Sequence, residues 1–276
     1  MIHIRDLSVT FSPGTALQKQ VFQGFSLSIP PGQFVTVIGS NGAGKSTLLN
    51  VLSGEIIPQG GHITIADRDI TRWPIAKRAK LVSRVFQNPL AGSCADLTLE
   101  ENLVLAQRRS RPFKLRPALT KIGHVQFKDR LAKLGLGLED RLGDRMGLLS
   151  GGQRQAASLV MATLAPTQVL LLDEHTAALD PKTASYILKL TKALVAEQQL
   201  TTLMVTHSMQ QALDLGDRTL MLHEGKPVLD IAGESREGLS VNDLLTAFTK
   251  SQAGEENSTE LTESSVPIAD DSLLLG

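Results

Sequence analysis

The sequence predicts an α/β fold built on a parallel sheet, with a small helical subdomain inserted into it. Three observations predict it. Short apolar, β-rich runs recur at residues 34–38 (FVTVI), 169–172 (VLLL) and 202–205 (TLMV), and each leads into a polar or glycine-rich turn. Runs apolar at every position suit strands covered on both faces. Helical patterns at 44–53, 153–165 and 182–198 lie between and after them, and strand–loop–helix alternation gives parallel strands. The stretch from about 97 to 147 shows helical periodicity, many charges and no convincing strand. It is the predicted helical subdomain, placed at about 97–150. In such sheets ligands sit beyond the carboxyl ends of the strands.

Taken from the start, MIHIRDLSVTF alternates apolar and polar residues as a strand does, without the basic start and apolar run of a secretory signal. The protein is therefore expected to begin at Met1 and stay in the cytosol. The longest apolar stretches, 159–165 and 169–172, fall short of the roughly 18 residues of a membrane helix. Residues 1–250 read as one domain. From Ser251 onward there are six acidic and no basic residues, so 251–276 reads as a solvated, disordered acidic tail. Net charge is zero, so no global field favours nucleic acid, and no nucleic-acid partner is expected. A single cysteine, Cys94, excludes an internal disulfide and agrees with a reducing compartment.

The chemistry starts at GSNGAGKST, 39–47, between the strand 34–38 and a helix. Gly39, Ser40, Asn41, Gly42, Ala43, Gly44, Lys45, Ser46 and Thr47 satisfy the phosphate-loop pattern, in which backbone N–H groups converge on phosphate oxygens at a helix N-terminus. Lys45 is expected to reach the β- and γ-phosphates and the Ser46 hydroxyl to bind Mg²⁺. Such a loop needs a carboxylate on a neighbouring strand, and QVLLLDE, 168–174, supplies one after four aliphatic residues. Asp173 is the expected Mg²⁺ partner through a water, and Glu174 the base that polarises the attacking water.

The deciding segment is LLSGGQRQA, 148–156, just before a helix and ahead of the acidic strand. Here the chain resembles the ABC ATPase family, whose signature is SGGQ, present as Ser150, Gly151, Gly152 and Gln153. As bare geometry it is also a helix cap with Ser150 at the N-cap. The resemblance covers nearly everything from Met1 to about Gly225. It implies a phosphate-loop core of ABC ATPase type, with a parallel sheet, an antiparallel β subdomain and the inserted helical subdomain. It also implies that Gln87 in VFQNP links metal and water to a permease contact, that Ala178, Leu179 and Asp180 form the loop crossing a dimer interface, and that His207 contacts the γ-phosphate. Phe11, 28 positions before Gly39, stands where the family stacks an aromatic ring on adenine; core packing is its alternative. One departure stands out: the family usually has proline after the catalytic glutamate, and this chain has His175. It either occupies the turn or places a titratable group near the γ-phosphate, and proline there is expected to leave turnover intact.

The implied activity is ATP hydrolysis with ATP and Mg²⁺ as cofactors. The implied partners are a second, identical chain in an ATP sandwich, transmembrane permease subunits and, indirectly, an external solute-binding protein, at the cytoplasmic side of the membrane. The separate chain, TLEENL at 98–103 and the LSGGQRQ form look importer-like, and DEHTAALDP resembles importers of small solutes such as amino acids. An exporter or lipoprotein-release ATPase and a soluble, nucleic-acid-linked ABC ATPase are the alternatives. The basic run RRSRPFKLR, 108–116, reads as a solvated loop or as a contact with lipid headgroups or a permease loop.

Overall fold

The computed structural model describes residues 1–109 and 119–249. The acidic tail and most of the basic run lie outside the described residues. Along the chain run β1 (Ile2–Phe11), β2 (Lys19–Ile29), β3 (Phe34–Gly39), α1 (Lys45–Ser53), β4 (Gly60–Ile65), β5 (Arg68–Asp69), α2 (Ile75–Arg78) and β6 (Val82–Val85). There follow α3 (Leu99–Arg108), α4 (Lys121–Ala132), α5 (Gly151–Leu164), β7 (Val169–Asp173), α6 (Pro181–Gln198), β8 (Thr201–Val205), α7 (Met209–Leu215), β9 (Arg218–His223) and β10 (Lys226–Ala232).

Two sheets form. One has the order β10-β9-β3-β8-β7-β6, with every pair parallel except β10–β9; the other has the order β2-β1-β4-β5 and is antiparallel. The α/β architecture with its antiparallel subdomain is thus the one expected. The three strands read from their apolar runs are β3, β7 and β8, the middle of the parallel sheet, where both faces are covered. Strand β6 on one side, and β9 with the antiparallel β10 on the other, flank these three and carry weaker patterns.

Alternation along the central strands divides the core. Val169 and Leu171 on β7 join Val35, Val37, Leu203 and Val205 in one cluster with α1 and the antiparallel sheet, whereas Leu170 and Leu172 join Met204 in a second cluster with α3, α4 and α5. The period of two thus makes the parallel sheet a middle layer. Leu99 and Leu103 of α3 and Phe127 and Leu131 of α4 belong to that second cluster. The helices predicted at 97–150 therefore pack through α5 onto the sheet without a core of their own. Burying a leucine or phenylalanine of this kind contributes about 2 kcal/mol.

Local chemistry sets the helix ends. Thr98 and Glu101 form a capping box at the start of α3, as Ser150 and Gln153 do for α5, reciprocally satisfying two free N–H donors. Asp180 caps α6 by accepting from the Thr183 N–H at 3.1 Å, with Pro181 in the first turn. The fully buried Arg78 donates to the carbonyls of Val51 and Leu52 in the last turn of α1. A cation there complements the helix dipole and anchors the helix that follows the phosphate loop.

Candidate functional site

The phosphate loop joins β3 to α1 across the C-terminal edge of the parallel sheet, with its shape enforced by close approach. A Cβ on Gly39 would lie 2.1 Å from the Leu222 carbonyl oxygen, and Gly44, at φ +103, packs against the Phe22 ring. Gly44 is also the N-cap of α1 and brings no side chain to cap it. The first N–H groups of α1 therefore remain available to an anion. The Lys45 ammonium spans the loop, donating to the Gly39 and Ser40 carbonyls at 2.8 Å each. Burial lowers its pKa, against the opposing fields of Glu174 and Asp173.

A cleft of about 250 Å³ opens over this loop, lined by Phe11, Lys19, Val21, Asn41, Gly42, Gly44, Lys45, Ser46, Thr47, Glu174 and His207. Phe11 is 41% exposed, so its ring faces the cleft rather than the core. Sequence reasoning missed Lys19. It is the cross-strand partner of Phe11, and its ammonium sits 3.5 Å from where a Cβ on Gly42 would stand. The available signal was the SPG turn at 12–14, which marks a hairpin returning the chain past Phe11.

Glu174 follows β7 and His207 follows β8, two adjacent parallel strands, so register alone brings them together. His207 Nε2 lies 2.6 Å from Glu174 Oε1. The Glu174 backbone has φ +45, a left-handed conformation held by its N–H donating to the Val205 carbonyl at 3.0 Å. For a side-chain-bearing residue this costs about 1–2 kcal/mol. Asp173, at the end of β7, accepts from Arg84 at 2.6 Å. A hydroxyl at Ser46 and a carboxylate at Asp173, with an open anion cradle between strand and helix, suit a hard cation held chiefly through phosphate oxygens and water.

The remaining expected residues lie off this cleft. Gly39, Ser40 and Ala43 form the loop's inner side, and Gln87 is exposed after β6. Asp180 is occupied as an N-cap. Ser150, Gly151, Gly152 and Gln153 turn into α5 beside Leu179 and Thr183, not beside their own chain's phosphate loop. The Gln153 amide is committed: its oxygen accepts from Arg141 and from the Ser150 N–H, and its nitrogen donates to the Leu136 carbonyl. It shapes the turn, in which Ser150 is exposed and Gly151 and Gly152 are half-buried.

The family model for the ABC transporter matches residues 22–177. The chain belongs to the ABC transporter family. It is 44% identical over 249 residues to a tyrosine transport ATP-binding protein of Clostridioides difficile (strain R20291), covering 90% of this chain and 98% of that protein. It is 37% identical to a thiamine import ATP-binding protein of Yersinia pestis, over 73% of this chain and 80% of the other. Among solved structures, a dimeric bacterial ABC transporter cassette superposes with TM-score 0.72 at 26% identity, and a post-hydrolysis cassette dimer bound to ADP and Pi with TM-score 0.70 at 26%. Each covers 84% of this chain and 98% of its own. The chain is an ATPase of this family, and among its described residues no helix is long and apolar enough to cross a membrane.

In this ABC ATPase the residue after Glu174 is a buried histidine. His175 is 2% exposed, and its Nε2 donates to Thr191 Oγ1 at 3.0 Å, while that hydroxyl donates to the Ile187 carbonyl at 2.9 Å. Desolvation lowers its pKa to about 4, so at neutral pH it is an uncharged peg between the turn at Glu174 and α6. The unfolded chain, with an ordinary histidine pKa near 6.5, binds the extra proton as pH falls from about 6.5 to about 4. Stability is then complete above pH 6.5 and is lost on acidification, by roughly 3 kcal/mol in the limit. Thermal melting at pH 5 and pH 7.5 tests this. The parent is expected to lose more stability at pH 5 than His175→Gln, and parallel losses would refute it.

Proposed function

We propose that this chain binds MgATP in the cleft over its phosphate loop and hydrolyses it as one half of a homodimer, driving uptake of an amino-acid-like solute through a separate permease. The observation that carries this reading is the division of its motifs. One open cleft gathers Phe11, Lys19, the phosphate loop, Glu174 and His207, while the signature turn, which a bound triphosphate would also need, presents its N–H groups elsewhere. Two such chains, head to tail, supply each other's missing half.

In this reading Phe11 stacks on the base, and Lys19, Lys45 and the loop N–H groups neutralise the phosphates. Ser46, Gln87 and, through a water, Asp173 would hold Mg²⁺, which would neutralise charge on the transferring phosphoryl group. Glu174 polarises the attacking water, and His207 orients Glu174 and the γ-phosphate. Ser150, Gly151 and Gly152 of the partner subunit close over that phosphate, Gln153 holds their turn, and Asp180 closes the α6 end of the interface. Loss of the γ-phosphate removes the contact, so the dimer is favoured only by as much as ATP prefers it closed. A groove of about 380 Å³ beside Gln87, lined among others by Phe86, Pro89, Cys94, Leu105 and Ala106, is the natural seat for the permease. It joins the glutamine loop to α3, the parts that dimer opening would displace.

The direction of transport and the solute class rest on the likeness to the tyrosine transport and thiamine import proteins. Oriented proteoliposomes holding the chain with its permease and solute-binding protein, with ATP on the cassette side, test both. Accumulation of labelled tyrosine or another amino acid, abolished by Glu174→Gln, is the expected result. Export, or thiamine as the transported solute, would overturn it.

A further inference from the structure

Arg84 is the third residue of β6, three positions ahead of Gln87, and its guanidinium is almost wholly buried. One terminal nitrogen donates to Asp173 Oδ2 at 2.6 Å; the other donates to Asn50 Oδ1 at 2.7 Å and to Glu55 Oε1 at 2.8 Å. The guanidinium also lies 4.7 Å from the centre of the Phe86 ring, a cation–π distance. Those contacts join three segments: α1, whose first turn carries Lys45 and Ser46; the end of β7, which carries Asp173; and the strand leading into Gln87.

Stability alone is a poor reason for this arrangement. Desolvating a buried ion pair offsets most of its Coulombic gain, and here the Arg84 Nε is buried with no hydrogen-bond partner among the described residues, a further penalty. The two terminal nitrogens serve three acceptors, and Nε is left over. Its planar fork fixes direction where a point charge would not. One carboxylate oxygen of Asp173 is held, while no described residue bonds Oδ1.

We propose that Arg84 is a positioning residue for the divalent cation, pinning Asp173 by one oxygen so that the other faces the nucleotide's metal. This rests on the reading of Asp173 as the metal's carboxylate. With a cation bound, Asp173 would be shared between it and Arg84, its direction already set by the protein through the Arg84 contact.

Two effects of removing Arg84 oppose each other, which makes the test decisive. Losing a positive charge would strengthen the site's pull on Mg²⁺, whereas losing the fork would leave Asp173 free to turn away. Positioning predicts that the second wins. The measurement is binding of a fluorescent ATP analogue, first in EDTA and then with added Mg²⁺, to the parent, Arg84→Met and Arg84→Lys. With Arg84→Met, affinity in EDTA is expected to stay within about twofold of the parent. The Mg²⁺ concentration for half-maximal tightening is expected to rise about tenfold, the scale of one charge-assisted hydrogen bond. Arg84→Lys keeps the charge but cannot span three acceptors, and about a threefold rise is expected. A Mg²⁺ requirement that is unchanged or lower, or an equal loss of affinity in EDTA, overturns the proposal. If Arg84→Met does not show a cooperative melt, Arg84→Lys decides on the same criterion. A parent whose nucleotide binding ignores Mg²⁺ would instead sink the assignment of Asp173, and Arg84 with it.

Discussion

Glu174→Gln is expected to bind MgATP as the parent does, to accumulate as a dimer, and to hydrolyse ATP about 10²–10⁴-fold more slowly, the usual contribution of a positioned general base. The geometry explains the split between binding and turnover. Glutamine has the same shape and keeps an oxygen facing His207, whose Nε2 lies 2.6 Å from Glu174 Oε1. The left-handed turn held by the Val205 carbonyl involves only backbone. What is lost is the charge that polarises water. Single-turnover hydrolysis, equilibrium nucleotide binding and size-exclusion chromatography with MgATP read the three properties separately. Turnover close to that of the parent would remove Glu174 from its role.

Mixing two inactive variants gives the second large effect. Lys45→Ala loses the ammonium that spans the phosphate loop, and Gly151→Glu places a carboxylate on the signature turn. A Cβ at Gly151 meets its own chain only at 3.5 Å, from the Leu179 side chain, so the added group is tolerated within the protomer and faces outward. Opposite a γ-phosphate it is a like charge, a juxtaposition that costs several kcal/mol. Each variant alone is expected to fall to background. A mixed dimer, however, retains one site with the phosphate loop of the Gly151→Glu chain and the signature turn of the Lys45→Ala chain. Activity well above the mean of the separate variants is expected after mixing and re-equilibration. If the mixture stays at background, the composite site is wrong.

Much of the site was legible because its residues lie close together in the chain. The phosphate loop, the acidic end of β7 and the signature turn are each contiguous; the roles of the first two follow from the chemistry of a strand running into a phosphate-binding loop, and that of the signature turn from the family resemblance. Other features joined positions far apart. Lys19 enters the cleft because a hairpin pairs it with Phe11, and Arg84 meets Asn50, Glu55 and Asp173 only once β6 pairs with β7. His175 could be noticed as a departure, with a place in the turn or a titratable group near the γ-phosphate as its two readings. Whether it was a charged group at the phosphate or a neutral one beneath the turn depended on Thr191, sixteen positions away on α6.

The sequence by itself determined the α/β class, the central strands and the phosphate chemistry, since apolar runs and short motifs are written in consecutive residues. Tertiary structure alone decided which groups share the cleft, that Gln153 is committed within its own protomer, and that an arginine holds Asp173. Those outcomes depend on strand order and on burial, which set both the neighbours of a charge and the medium around it, and neither is a property of any local stretch of chain.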